Sequence, residues 1–161
     1  GRLSRQHYLC DLMSDLLAGG SSARLYNSLV KDRKLFSAVN AYISNDIDPG
    51  LFIVTGHLLP GVTTQQGETA MWEELDKLKN EPVSDYELEK VKNKFEAGII
   101  FGELNVMNKA MNLGYYRMLG DMSLLEGEVG IYRSVTAGQV AEAATELFVP
   151  PKSSTLVYKR K

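Results

Sequence analysis

Residues 17–39 read LAGGSSARLYNSLVKDRKLFSAV, and the reading of this stretch decides the fold. An apolar helical spacing stops at Gly19 and Gly20, because glycine readily ends a helix. Ser21 and Ser22 then offer side-chain oxygens to cap a second helix, expected from Ala23 to about Lys31. From Leu35 the spacing becomes that of a strand, LFSAVNAYIS, so a helix, a glycine corner, a second helix and a strand meet in one segment.

Working outward, Ser4 to Ala18 places Tyr8, Leu9, Leu12, Met13, Leu16 and Leu17 at spacings of three and four, the apolar face of a first helix. Downstream, Leu35 to Ser44 and Leu51 to Leu59 read as two strands of a hairpin, joined by the turn-forming loop NDIDPG and ended by Pro60. Thr63 with Gln66 is a capping box, opening a helix that turns Met71, Trp72, Leu75 and Leu78 inward and stops near Asn80. Ser84 with Glu87 opens the longest helix, with Leu88, Val91 and Phe95 on one face. Gly98 and Gly102 lie in its continuation and predict a bend or close packing, after which the helix resumes through Met111. Ser123 with Glu126 and Thr136 with Gln139 repeat the start signal, the second before VAEAATELF and the pair Pro150 and Pro151. STLVYK, residues 154–159, reads as a last strand.

The class is α+β, an antiparallel sheet packed against several helices. Three strands are few for so many helices. The first strand or strands are therefore expected upstream of Gly1, with residues 1–161 as one domain of a longer protein.

Composition narrows the partners. Eighteen lysines and arginines face 20 acids, so no basic field argues for nucleic acid or an anionic membrane. The single Cys10 excludes an internal disulfide and a thiolate metal cluster, which fits a reducing compartment. No apolar run approaches the roughly 20 residues that span a bilayer. The opening GRLSRQHYLC has no signal-peptide core, so the cytoplasm is the default location.

No catalytic constellation emerges from the residues themselves. His7 and His57 lie far apart and H-x-x-E-H is absent, so no zinc site is expected in this chain. His7, Cys10 and Asp11 on neighbouring helical turns match a base, a thiolate and an orienting acid in type. A buried cysteine beside a solvated histidine is the commoner arrangement and the one expected. GGSS lacks the lysine of a phosphate-binding loop and follows a helix, so it reads as a capped corner. His57, in an apolar strand, reads as structural. Glu73, Glu74, Asp76, Asp85, Glu87 and Glu89 read as acids mostly on outward helix faces, where solvation is the default role, and their spacing does not favour a paired acid/base role.

Five segments in order carry a resemblance: LLAGGSSARLYNSLVKDRKLFSAVNAY, DPGLFIVTG, VSDYELEKVKNKFEAG, KAMNLGYY and VTAGQVAEAATELF. Together, from Tyr8 to Tyr158, they resemble the C-terminal half of the insulinase and pitrilysin family of zinc metallopeptidases, closest to its bacterial, mitochondrial-processing-peptidase-like branch. The resemblance implies a zinc-free half-domain, with the zinc in an upstream N-terminal domain carrying H-x-x-E-H. The two halves would close a chamber around an extended peptide. The zinc-bearing domain in cis, a second subunit and the peptide are the implied partners. The family also places an arginine and a tyrosine in this half, in a pattern like L-R-x-x-x-G-L-x-Y, where they contact substrate and stabilise the transition state. Here those positions read Val30 and Ser37, and Lys34 stands at the glycine. The pair is absent, so no catalytic residue carries over. Arg24 keeps the family's Arg-Leu and is assigned a structural role.

The absence has a physical consequence, since losing a donor aimed at a developing oxyanion costs about 10²- to 10³-fold in rate. Either a partner supplies the groups, or the whole protein cleaves poorly, or it has become a subunit that holds substrate. The reading is the non-catalytic half of a zinc metallopeptidase, lending a wall and a β edge to a peptide chamber. The alternative is a non-enzymatic scaffold or assembly subunit.

Overall fold

Tyr8, Leu9, Cys10, Leu12, Met13, Leu16 and Leu17 are all buried, so the first helix, α1 (Arg5–Ala18), meets neighbours on nearly every side. Ser4 caps it by accepting from the His7 amide. In the computed structural model, which describes residues 1–44 and 47–159, α1 is the axis of the packing. The hairpin of β1 (Phe36–Ile43) and β2 (Phe52–Leu58) lies against it, as do α3 (Asp85–Glu103), α5 (Leu124–Arg133) and α6 (Ala137–Leu147). Helix α2 (Thr64–Asn80) packs on α6, and α4 (Val106–Leu119) on α3 and α5. Each leucine fully buried along α1, Leu12 and Leu17 among them, contributes about 1.5–3 kcal/mol.

The architecture is α+β, with an antiparallel sheet against several helices. Helix starts follow the local chemistry. The capping boxes Thr63–Gln66, Ser84–Glu87 and Thr136–Gln139 are formed with both reciprocal bonds. Both strands form within a residue of their expected ends, and the NDIDPG loop joins them, although its Asn45 and Asp46 lie outside the described residues.

Several expectations need correction. The second helix begins at Arg24 without a serine cap, and its body is a π-helix, Tyr26–Asp32. Ser22 instead accepts a hydrogen bond from Lys90 Nζ. The segment STLVYK forms no strand: residues 153–159 carry no regular structure and are exposed, with Leu156 at 95% and Tyr158 at 94%. The sheet among the described residues therefore has two strands rather than three. Ser123 does not cap α5 with its side chain, since its hydroxyl and amide are both taken by Asp121 Oδ1, at 2.6 and 3.0 Å. Helix α3 runs through Gly98 and Gly102 and ends at Glu103, and α4 continues past Met111 to Leu119.

The hairpin is shaped by one irregularity. Phe36 pairs with Leu58 and Ala38 with His57, so Ser37 has no partner and forms a β-bulge. The bulge shifts the alternation by one residue, which lets Phe36 share the core face with Val39, Ala41 and Ile43. The Phe36 ring fits because glycines surround it. A Cβ on Gly56 would lie 2.5 Å from the ring, and one on Gly67 would lie 3.1 Å from it and collide with Leu58.

Candidate functional site

The positions where the resemblance places its substrate-contacting pair lie on the π-helix and at the bulge. The Arg33 amide donates to the Ser28 carbonyl at 2.9 Å, a five-residue return that marks the π geometry. The helix is anchored from below by the buried Glu74, which accepts from Ser28 Oγ at 2.6 Å and Lys77 Nζ at 2.7 Å. Glu74 is thus not an outward, solvated acid. Val30 is half-buried and packs against the core.

After the helix the chain reverses at Lys34, the one non-glycine residue with positive φ among those described, at 51°. The Leu35 amide then donates back to the Leu29 carbonyl at 2.9 Å. Left-handed backbone costs a residue with a Cβ roughly 1–2 kcal/mol. The backbone therefore keeps the turn that a glycine would serve, with lysine in its place. Ser37 follows at the bulge, exposed, its hydroxyl donating to the His57 carbonyl at 3.2 Å. The π-helix, the left-handed turn and the bulge present positions 30 and 37 from the two ends of one tight connection. Neither position carries a charge or an aromatic ring.

Arg24 binds Glu87 through two parallel bonds, Nε to Oε1 at 3.0 Å and Nη2 to Oε2 at 3.1 Å. Because Glu87 also closes the Ser84 capping box, Arg24 ties the glycine corner to the start of α3. These bonds, Arg24 first and Ser84 after it, hold the Glu87 carboxyl down at about 2 against the opposing effect of burial.

The other candidates are separated. His57 is exposed on β2 rather than enclosed in an apolar strand. His7 is half-buried rather than solvated, edge-on to Tyr8, and burial with the nearby Arg2 charge lowers it to about 4. Burial and then Asp11 push the Cys10 thiol up to about 11, so it stays protonated at neutral pH. Asp11 accepts from Tyr132 Oη at 2.6 Å, so it does not orient His7. No base, nucleophile and acid converge there. Among the described residues no group of three or more His, Cys, Asp and Glu side chains could hold a metal ion. No helix among them is long and apolar enough to cross a membrane.

The sequence reading missed the π-helix, the left-handed turn and the bulge. Two signals were present: a lysine where the resembling family has glycine, and an apolar spacing of three from Phe36 to Val39 before the regular spacing of two.

A family model described as the peptidase M16 inactive domain matches residues 2–95. Among solved structures, a protease from Helicobacter pylori superposes with a TM-score of 0.86 at 20% identity, over 94% of this chain and 37% of that one. The inactive peptidase domain of a candidate zinc protease from Bordetella parapertussis gives 0.84 at 26% identity, over 94% of this chain and 82% of that one. A peptidase M16 inactive domain from Pseudomonas fluorescens gives 0.68 at 18% identity, over 91% and 35%. No curated protein matches the chain.

Proposed function

We propose that this chain, which belongs to the family of peptidase M16 inactive domains, is the peptide-holding half of a zinc metallopeptidase, with residues 1–161 acting as one domain. The observation that carries the reading is family membership in a chain whose Arg and Tyr positions hold Val30 and Ser37. A zinc-bearing domain of the same protein, or a second subunit, supplies the metal and the attacking water. This chain supplies a wall. Each strand of the hairpin has one ladder partner among the described residues, which leaves a row of backbone donors and acceptors on its other side. An extended peptide pairing there takes its affinity from backbone bonds and is held with little sequence selectivity. The cytoplasm is the default setting of this reading.

The first test is a paired zinc and peptidase assay on an unstructured peptide, with the chain alone and joined to the zinc-bearing half of its own protein. The chain alone should be inert and metal-free, and the joined protein should bind one zinc and cleave. A chain that bound stoichiometric zinc and cleaved by itself would overturn the reading. A joined protein that binds zinc but does not cleave would favour the second reading, a scaffold subunit, which the apolar packing of Val30 already favours.

A further inference from the structure

Helix α4 carries more apolar surface than its packing uses. Of its 14 residues only Asn112, Tyr115, Tyr116 and Leu119 are sheltered, and they share the side that meets α3 and α5. An ordinary surface helix would be polar on the opposite side. Here Val106, Met107 and Met118 are 83, 67 and 64% exposed, with the exposed Ala110, Leu113 and Gly114 between them. These residues recur at spacings of three and four, so they form one continuous face. The helix has two charged side chains, Lys109 on the flank of that face and Arg117 at its C-terminal end, and no acid. A helix that is apolar all round is normally buried all round. Nothing among the described residues covers this one.

Area and charge decide what fits there. With the exposed Phe101 and Leu104 at the end of α3, the face offers about 800 Å², more than the largest patch of a typical monomer, about 300–600 Å², and close to what each partner gives a standard interface. Ala110 and Gly114 stand at its centre one turn apart, and a Cβ on Gly114 would meet nothing within 4 Å. Two small residues in that place let a second helix approach closely, and the flexible methionines on either side fill the gaps. The charges then select the partner. Arg117 lies toward one end and Glu103, the last residue of α3, toward the other, with Ala110 midway between them in sequence. A two-fold axis at Ala110 lays the face on its own image, small residues on small residues, and carries each Arg117 toward Glu103 of the second copy. A parallel pairing would set Arg117 against Arg117.

We propose that this face of α4 is the interface with a second copy of this chain, the two helices crossing antiparallel at Ala110 and Gly114. The interface goes beyond the function proposed above and does not depend on it.

The test is analytical ultracentrifugation of the 161-residue chain, and of the same chain joined to the zinc-bearing half of its own protein. Both should sediment as dimers at about 100 μM, the chain alone at twice its 17.9 kDa. Ala110→Arg should leave a monomer with unchanged helical circular dichroism, since position 110 is exposed. Arg117→Glu should weaken the dimer about tenfold, the size expected when two exposed ion pairs are lost together, and adding Glu103→Arg should restore it. With oxidised glutathione, Ala110→Cys should trap the dimer as a disulfide across the two-fold axis, whereas Tyr42→Cys, exposed on β1, should not. The buried Cys10 does not compete. Monomers at about 1 mM, a dimer that Ala110→Arg leaves intact, a charge-swapped pair that restores nothing, or equal trapping at 42 and 110 would each overturn the proposal. So would a dimer of the chain alone that is lost in the joined protein, because the zinc-bearing half would then be what covers α4. Should Ala110→Arg fail to fold, the charge-swapped pair decides. The zinc and peptidase assay is read separately, so the failure of one proposal leaves the other standing.

Discussion

Two pairs of glycines divide this molecule. Gly56 and Gly67 sit in the hairpin region, where an added methyl would strike the Phe36 ring or Leu58. Gly98 and Gly102 sit on the helical side, where the same methyl would meet nothing within 4 Å. Their surroundings differ in the same sense. Phe36 is buried, with the partly buried Leu58 and Met71 packed on the same core, whereas near the second pair Ile100, Phe101, Leu104, Val106, Met107 and Met111 are exposed. One glycine pair makes room for a packed core, and the other keeps a surface open. The same residue type thus marks a packed core in one place and an open helical surface in the other.

The contrast breaks most visibly if Gly56→Ala is harmless. An overpacked core loses about 1–3 kcal/mol, and at a 2.5 Å approach to an aromatic ring about 2 kcal/mol is expected in denaturant unfolding. The opposite sign is expected on the helical side. Gly98→Ala and Gly102→Ala should each raise stability by about 1 kcal/mol, and a loss at either would show packing that the open geometry does not contain.

The turn between the π-helix and β1 sharpens the comparison further. Lys34 holds the left-handed conformation at 51°, so Lys34→Gly should gain about 1 kcal/mol, read as a higher unfolding midpoint with unchanged slope. No gain would mean that lysine contacts offset the strain.

The last effect concerns pH. Burial, with Arg2 adding to it, lowers His7 from 6.5 to about 4, so the unfolded chain takes up the proton first. The His7 contribution is complete above about pH 6.5 and is lost as pH falls through 4. After allowance for solvent screening it amounts to about 1 kcal/mol. His7→Gln should flatten the stability profile over that window alone. Glu87, held at about 2 by Arg24, acts below it, between 4.5 and 2.

Much of the fold was legible because its signals are short-ranged. Three capping boxes place three helix starts, and the apolar face of α1 identifies the central helix. Where such local rules failed, a competing partner was the cause. Asp121 takes the Ser123 groups that would have capped α5. Glu74, in sequence terms an ordinary surface acid, is buried and is met by Ser28 from 46 positions away. The helical side was less legible. Gly98 and Gly102 were visible as anomalies, but whether they meant close packing or open space depended on how α4 and α5 fold back over α3.

The sequence by itself therefore determined the three capping-box helix starts, the hairpin and the absence of an Arg–Tyr pair at positions 30 and 37, since each depends on residue identity within a few positions. Only the tertiary structure decided that Ser37 bulges, that Lys34 takes a glycine's conformation and that Glu128 is satisfied by Arg2, 126 positions away. Those outcomes arise from groups brought together by burial, and a pattern of local spacing carries no information about which distant groups will meet.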